Sequence, residues 1–447
     1  MGIAVFDIGK TNVKLSLVEA GDIRHNLVAP NKVVAAPPYP HYDDAALWAF
    51  LKNGLASLAR STHITDIVIV AHGAAAVLVD ADGGLALPIL DYEAPIADPE
   101  YDRIASPFSE TFTPHMANGL VVGKQVHWQA ANFPDAFRRV AHIMTYPQYW
   151  SFRLSGVLSS EVTSLACHTG LWQPAAGAFS SFVHSMGWES LFPPLRKAAE
   201  ILGPVSPKVR AETGLPADCR VRVGIHDSSA SFLRHRFSRP LPFAVVSTGT
   251  WVVNMAAGAD VSRLPENRNC LANVDALGAP VPCCVFMGGR EFSLLTEGLS
   301  GAITNLEAAA AVIKKRALLV PPIADLGGPF AGLPLGRTIG GKLESDEEIV
   351  ARACLYLALM TDYCLDLIKA KGPAIVEGSL IGNELYLSAL AELRRPESVL
   401  VSSDSTGTIS GAMLLADAKI EDTTSTVEPI EFKLGAYKNA WREALAA

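Results

Sequence analysis

Charge is scarce in this chain. Of 447 residues, Lys and Arg supply 37 and Asp and Glu 45, together 18%. The net charge of −8 leaves no basic excess of the kind that marks a nucleic-acid surface. Cysteine is scarce as well. The seven are odd in number and scattered, and the adjacent pair Cys283–Cys284 lacks zinc-ligand spacing, so reduced thiols in a reducing compartment are expected. A basic leader and a cleavage site are missing: Met1 is followed almost at once by Ile3-Ala4-Val5-Phe6, and a cytoplasmic protein is expected. Two long stretches, Val162 to Trp188 and Pro240 to Ala259, contain no Asp, Glu, Lys or Arg. Both are broken by Gly, Pro, Ser and Thr, so neither reads as a membrane span.

Apolar residues are plentiful at 49%, which fits a globular chain. The length exceeds what one core can serve and suggests two or three domains. Gly2 to Val18 reads as a hairpin: a buried strand Ile3-Ala4-Val5-Phe6, a polar turn Asp7 to Asn12, and the alternating strand Val13 to Leu17. A helix is expected over 44–60, where Leu47, Phe50, Leu51, Leu55 and Leu58 recur at helical spacing. Asp66 to Val79 reads as an apolar strand interrupted at His72-Gly73, and Leu85 to Leu90 as a strand after the turn at 80–84. Arg220 to Gly224 is a short strand leading to a helix from about Ala230.

The basic, proline-ended segment Arg234 to Pro240 marks a domain boundary, giving domains 1–236 and 237–447. Beyond it the opening device returns: strand Phe243 to Ser247, turn Thr248-Gly249-Thr250, strand Trp251 to Ala256. An internally duplicated, two-lobed protein would show this. A long helix Asp346 to Lys371, strand Ala374 to Val376, helix Glu384 to Leu393, strand Val399 to Val401 and a small-residue helix from Gly407 complete the second half.

Three segments carry chemistry. Asp7 ends a strand and can present its carboxylate to a hydrated divalent cation, while the turn after it offers Lys10, Thr11 and Asn12 to phosphate oxygens. Its spacing is not that of a Walker A loop. Ser247-Thr248-Gly249-Thr250 offers hydroxyls and a glycine that lets a phosphate approach the backbone. Gly224-Ile225-His226-Asp227-Ser228-Ser229-Ala230 places an aspartate at a strand-to-helix junction, where it can act as a base. Taken singly, each turn is equally an ordinary hairpin, and Asp227 equally a helix cap. Taken together they supply what phosphoryl transfer needs: positioning, a metal, charge compensation and one proton acceptor.

These segments, in this order, resemble the FGGY family of carbohydrate kinases over essentially the whole chain. Asp7 to Lys14 resembles its first phosphate motif, Gly224 to Ala230 its catalytic motif, and Ser247 to Trp251 its second phosphate motif. Gly407 to Ala412 resembles the glycine-alanine stretch near the adenosine site. Tyr146 to Gly156, followed by Glu161 to Ala166, resembles two further family stretches.

The resemblance implies an α/β protein of two actin-like (RNase H-like) lobes with an inter-lobe cleft. It also implies a cytoplasmic enzyme using ATP and Mg2+ to phosphorylate a small sugar, with no nucleic-acid or membrane partner and a homodimer left open. Asp227 is then the general base and Asp7 the magnesium residue, through water. Lys10, Thr11, Asn12, Thr248, Gly249, Thr250, Gly378, Asn383 and Gly411 would serve the nucleotide. His72, Gly73, Asp91, Tyr92, Gln125 and His226 would serve the sugar.

The chain departs from the family pattern at three places: Lys10 replaces a usual Thr, Glu377-Gly378-Ser379 replaces a glycine-rich motif, and Asp91-Tyr92-Glu93 replaces the usual sugar loop. Thr11 to Lys14 resembles the first motif of L-fuculokinases, and Gly249-Thr250-Trp251 resembles both L-fuculokinases and L-rhamnulokinases, so a deoxyhexulose is the leading substrate. A ketopentose or a small polyol is the alternative within the class. A silent actin-like binding protein is the alternative outside it.

Overall fold

The computed structural model describes residues 2–299, 305–324, 327–403, 407–420 and 423–446. Two compact units divide the chain. The first is Met1–Ser238 with Ala272–Pro280 and Thr406–Glu421, and the second is Arg239–Leu271, Val281–Ser405 and Asp422–Ala447.

The sheet of the first unit is built on the expected hairpin. Gly2–Ile8 and Asn12–Glu19 pair antiparallel, from Gly2 opposite Glu19 to Ile8 opposite Val13. Asp22–Pro30 extends the sheet antiparallel on one side. On the other side Ile64–Ala71 runs parallel to the first strand, with Ile8 beside Ala71. Arg220–Arg222 and Ile225–His226 both pair parallel with Ile64–Ala71. The first strand is apolar at nearly every position because both of its faces are covered. Ala4, Phe6 and Ile8 pack with Leu51, Leu55 and Trp150 of the helices Asp44–Ala59 and Tyr146–Ser155. Val5, with Val68 and Val70, packs on the opposite face with Ala230, Leu233, Ile409 and Ala412.

The last two of those come from the helix Gly407–Leu415, which the chain returns to the first unit. Its approach to the helix Asp227–Ser238 is so close that a Cβ on Gly411 would lie 1.9 Å from the carbonyl oxygen of Ala230. Gly411 thus serves helix packing in the first unit.

The second unit repeats the plan. Phe243–Thr248 and Val252–Ala257 form an antiparallel hairpin. Pro280–Phe286 continues it antiparallel, and Ala374–Gly378 then Val399–Ser402 continue it parallel on the other side. Each unit therefore holds a mixed sheet with the same five-strand core, and the two hairpins lie in different sheets. The long helix Asp346–Leu367 begins at Ser345, whose side chain accepts from the Glu348 N–H.

Several elements differ from expectation. Leu85 to Leu90 is not a strand; it makes only isolated bridges, Val79 with Leu85 and His41 with Leu90. Ala76–Asp80 leaves the main sheet and pairs with Val140–Thr145. The helix expected from Ala230 begins at Asp227, and Arg234 to Ser238 are its last turns. The long helix stops at Leu367, two residues before Lys369 takes a left-handed backbone (φ +55°). Among the described residues no helix is long and apolar enough to cross a membrane.

Candidate active site

Three parallel neighbours in the first sheet end at one edge, at Ile8, Ala71 and His226. Asp7, His72 and Asp227 therefore come together at the carboxyl ends of strands, where α/β sheets present their ligand-binding groups.

Asp7 sits one residue before its strand ends, opposite Lys14. Burial and the charge of Asp227 push its carboxyl up to about 6, against the pull of Lys14. Asp227 behaves differently. Burial works against its charge, but the neighbouring His226 ring holds its carboxyl below the ordinary value, helped by His72 and the Ser228 N–H. His226 Nε2 lies 3.0 Å from Asp227 Oδ1, and a third of the Asp227 side chain reaches solvent. An ionised, partly exposed carboxylate thus stands beside a second one raised toward neutrality, so the two differ in the proton they hold.

His72 is buried among the rings of Tyr146, Tyr92 and Tyr42, at centroid distances of 4.9, 5.4 and 5.5 Å. Neither of its ring nitrogens has a protein partner. Burial lowers its pKa to about 4, so it faces the site as a neutral imidazole. A buried, unpartnered donor–acceptor of this kind suits a hydroxylic ligand.

Lys10 pairs with Asp91 and lies 3.2 Å from Glu93 Oε2, its ammonium 4.6 Å from the Tyr92 ring centre. It thus joins the expected sugar-side residues Asp91 and Tyr92. Thr11 and Asn12 are exposed at the turn, which Asn31 braces by donating to the Gly9 carbonyl at 2.8 Å. Gln125 is fully buried, and its amide serves the backbone: Nε2 donates to the Ala74 and Gly119 carbonyls.

Gly73 has a packing reason. A Cβ there would lie 2.8 Å from Cys167 Sγ and 3.0 Å from His226 Cδ2. Sequence reasoning passed over Cys167 and His168, the two residues that follow the helix Val162–Ala166. Cys167 Sγ is 3.1 Å from His226 Nε2 although 59 residues separate them, and no local spacing signals such a contact.

In the second unit Thr248 ties the end of the first strand to the end of its parallel neighbour. Its hydroxyl donates to the Glu377 carbonyl at 2.6 Å and accepts from the Leu380 N–H at 2.9 Å. Gly378 stands at φ +91°, and a Cβ there would lie 2.0 Å from the Thr248 oxygen. Gly249 and Thr250 form the hairpin turn, closed by the Gly249 N–H on the Trp251 carbonyl at 2.9 Å. Asn383 caps the helix Glu384–Leu393 by accepting from the Tyr386 N–H at 3.0 Å, and it lines a cavity of about 900 Å³. Phe292, Leu306, Cys354, Gly382 and Leu387 share that cavity, which has the volume and the apolar walls for a nucleobase and its ribose.

Among the described residues no cluster of three His, Cys, Asp or Glu side chains could hold a metal. A lone hard-oxygen donor at Asp7 fits a magnesium ion that arrives on nucleotide phosphates and keeps most of its water, rather than one held in a protein cage.

A duplicated mixed sheet with paired aspartates at the strand ends defines a two-lobed protein of the actin-like α/β class. The N-terminal domain profile of the FGGY family of carbohydrate kinases matches residues 2–233, and that of the carbohydrate kinase FGGY C-terminal domain matches residues 240–424. The chain belongs to the FGGY family of carbohydrate kinases.

The crystal structure of a carbohydrate kinase from Novosphingobium aromaticivorans superposes with a TM-score of 0.93 at 33% identity, covering 99% of this chain and 98% of that one. Xylulose kinase from Rhodospirillum rubrum has the same fold, with a TM-score of 0.78 at 20% identity over 100% of this chain and 98% of that one. L-fuculokinase of Escherichia coli (strain K12) is 24% identical over 288 residues, which span 61% of each chain. A probable L-xylulose kinase of Pasteurella multocida (strain Pm70) is 26% identical over 269 residues, 55% of this chain and 54% of that one.

Proposed function

We propose that this protein transfers the terminal phosphoryl group of ATP to a hydroxyl of a small neutral ketose, with Asp227 as general base. The observation that carries the reading is the asymmetry at the sheet edge: Asp227 is held in its ionised form by His226, while Asp7 is pushed up to about 6. The sugar lies on the first domain, residues 1–236, its hydroxyls meeting the neutral His72 ring and Asp91. Lys10 and Tyr92 wall that pocket. The nucleotide lies on the second domain, residues 237–447, in the cavity beside Asn383, with Thr248, Gly249 and Thr250 toward its phosphates.

Asp227 accepts the hydroxyl proton as the sugar oxygen attacks, and its low pKa suits it to take that proton late, when the oxygen is already bonding to phosphorus. Magnesium, when bound, neutralises charge on the phosphates, and Asp7 orients its water shell. A deoxyhexulose is the leading acceptor, because one relative is named an L-fuculokinase and the first motif resembles the fuculose branch; the relative named a probable L-xylulose kinase favours the alternative, a ketopentose.

The test is a phosphorylation screen across deoxyhexuloses, ketopentoses and small polyols, run with the wild type and with Asp227→Asn. Loss of roughly 10²–10⁴-fold in turnover on the best sugar, with ATP affinity retained, is expected. Wild-type turnover in Asp227→Asn, where chemistry limits the rate, would leave Asp227 a helix residue only.

A further inference from the structure

Behind Asp227 stands a group that the reaction as described does not use. Cys167 Sγ and Asp227 Oδ1 lie 3.1 and 3.0 Å from the same nitrogen, Nε2 of His226. The other ring nitrogen is 3.3 Å from Ser229 Oγ. The His226 backbone N–H donates to Thr163 Oγ1 at 3.2 Å, and that hydroxyl donates to the buried Glu161 carboxylate at 2.5 Å. We propose that Cys167 is a positioning residue for phosphoryl transfer, its sulfur fixing the His226 ring and the charge that ring presents to Asp227. The inference rests on the reading of Asp227 as the base.

The local fold is shaped around the contact. Cys167 is buried, and the next residue, His168, turns back through a left-handed backbone (φ +39°) with its Nδ1 2.9 Å from the Leu120 carbonyl. That turn sets a second imidazole against the thiol. The absent side chain of Gly73 leaves room for the sulfur and the His226 ring together. Burial opposes a thiolate here, yet His168 and His226 hold the thiol down to about 6. Burial likewise opposes a charged His226, yet Cys167 and Asp227 raise it well above its ordinary value. The other titratable groups facing the set are His72, which acts on Asp227, and Asp7 and Tyr92, which feel Asp227.

A sulfur anion at Nε2 stabilises the imidazolium, and the imidazolium lowers the Asp227 carboxyl that meets the same nitrogen. Removing the sulfur weakens the first link and therefore the second. The acid limb of kcat/KM, which reports ionisation of the base in the free enzyme, then moves to higher pH.

The experiment compares Cys167→Ser and Cys167→Ala with wild type and with Asp227→Asn. Serine preserves the hydrogen bond without the anion, and alanine removes both. Expected are a turnover loss of roughly 10-fold in Cys167→Ala, the scale seen when a supporting partner of a catalytic group is removed, and an acid limb shifted upward in both variants. The KM for ATP should not change. Should alanine not fold, the serine variant and the ultraviolet thiolate absorbance of the wild type still decide. The signal should be present at neutral pH and smaller by one thiolate in Cys167→Ser, since burial pushes Cys219, Cys284 and Cys354 the other way. A wild-type pH profile in Cys167→Ser, or no thiolate signal to lose, overturns the proposal. If Asp227→Asn itself retains wild-type turnover, the reading of the base fails instead, and the two failures are told apart.

Discussion

Lys10 and Asp91 stand 81 residues apart in the chain and form an ion pair inside the first unit, with Asp91 the more buried partner. From the sequence alone, a cation in the turn of the first hairpin is expected to face phosphate. Here Asp91 and Glu93 already neutralise it. Lys10→Thr leaves Asp91 buried without its counter-charge, which should cost roughly 1–3 kcal/mol of stability. The sugar KM should rise about tenfold, the equivalent of 1.4 kcal/mol, while the KM for ATP changes little. The double variant Lys10→Thr/Asp91→Asn should recover part of the lost stability, and a double-mutant cycle read by denaturant unfolding checks this. An ATP KM that rises more than the sugar KM would return Lys10 to the phosphates.

Gly73→Ala tests the packing behind the proposed base. The new methyl would have to displace Cys167 Sγ, Cys167 Cβ and a carbon of the His226 ring, all within 3.0 Å of it. Overpacking of this sort costs roughly 1–3 kcal/mol. Since the displaced ring faces Asp227, turnover should fall more than either KM rises. Steady-state kinetics beside a thermal melt separates the two effects. A variant that is destabilised but turns over normally would show the ring position to be immaterial to the chemistry.

Much of this arrangement was legible in the sequence, for identifiable reasons. Both hairpins could be read because each opens with an apolar strand that leads into a Gly-Thr-bearing or Lys-Thr-Asn-bearing polar turn, and in the first the strand after the turn alternates. The places of Asp7 and Asp227 could be read because one lies near the end of an apolar strand and the other directly follows a short one. The start of the helix at Asp227 could not, since Ser228 and Ser229 are weak helix formers that tertiary packing overrides. Leu85 to Leu90 has strand composition but lacks a continuous partner, and composition does not report partners. The return of Gly407–Leu415 to the first unit, and the contact of Cys167 with His226, are long-range facts with no local periodicity behind them.

In the second unit Thr248 is the residue to change. Thr248→Val keeps the shape but strands the Leu380 N–H, which its hydroxyl now satisfies, and takes one donor from the Glu377 carbonyl. Stability should fall by roughly 1–3 kcal/mol, and Thr248→Ser should restore most of it. Leu380 also lines the cavity beside Asn383. A loosened Leu380 should therefore weaken ATP several-fold in a direct binding titration and leave the sugar KM alone. Unaltered ATP binding in Thr248→Val would separate this cavity from the nucleotide.

Asp7 and His72 give the last prediction, because their pH effects on stability oppose one another in the same window. Asp7 is raised from 3.8 to about 6, so the folded state binds the extra proton between those values. Its contribution is favourable below pH 4 and is lost as pH rises through 6. His72 is lowered from 6.5 to about 4, so the unfolded state binds the extra proton, and its contribution is present above 6.5 and lost as pH falls through 4. Asp7→Asn removes a buried carboxylate whose cost applies above pH 6. The ligand-free variant should melt higher than wild type at neutral pH, by roughly 1–3 kcal/mol, and the gain should fade toward pH 4. The same variant should be a poorer enzyme, partly relieved by added magnesium, if the carboxylate that burdens the fold is the one proposed to meet the cation. His72→Gln should show the reverse slope, gaining on wild type as pH falls from 6.5 to 4. Thermal melts of the three proteins at several pH values decide the matter. A melting temperature for Asp7→Asn at or below that of wild type at neutral pH would mean that Asp7 is already compensated in the free protein, and that the division of labour between the two aspartates has another cause.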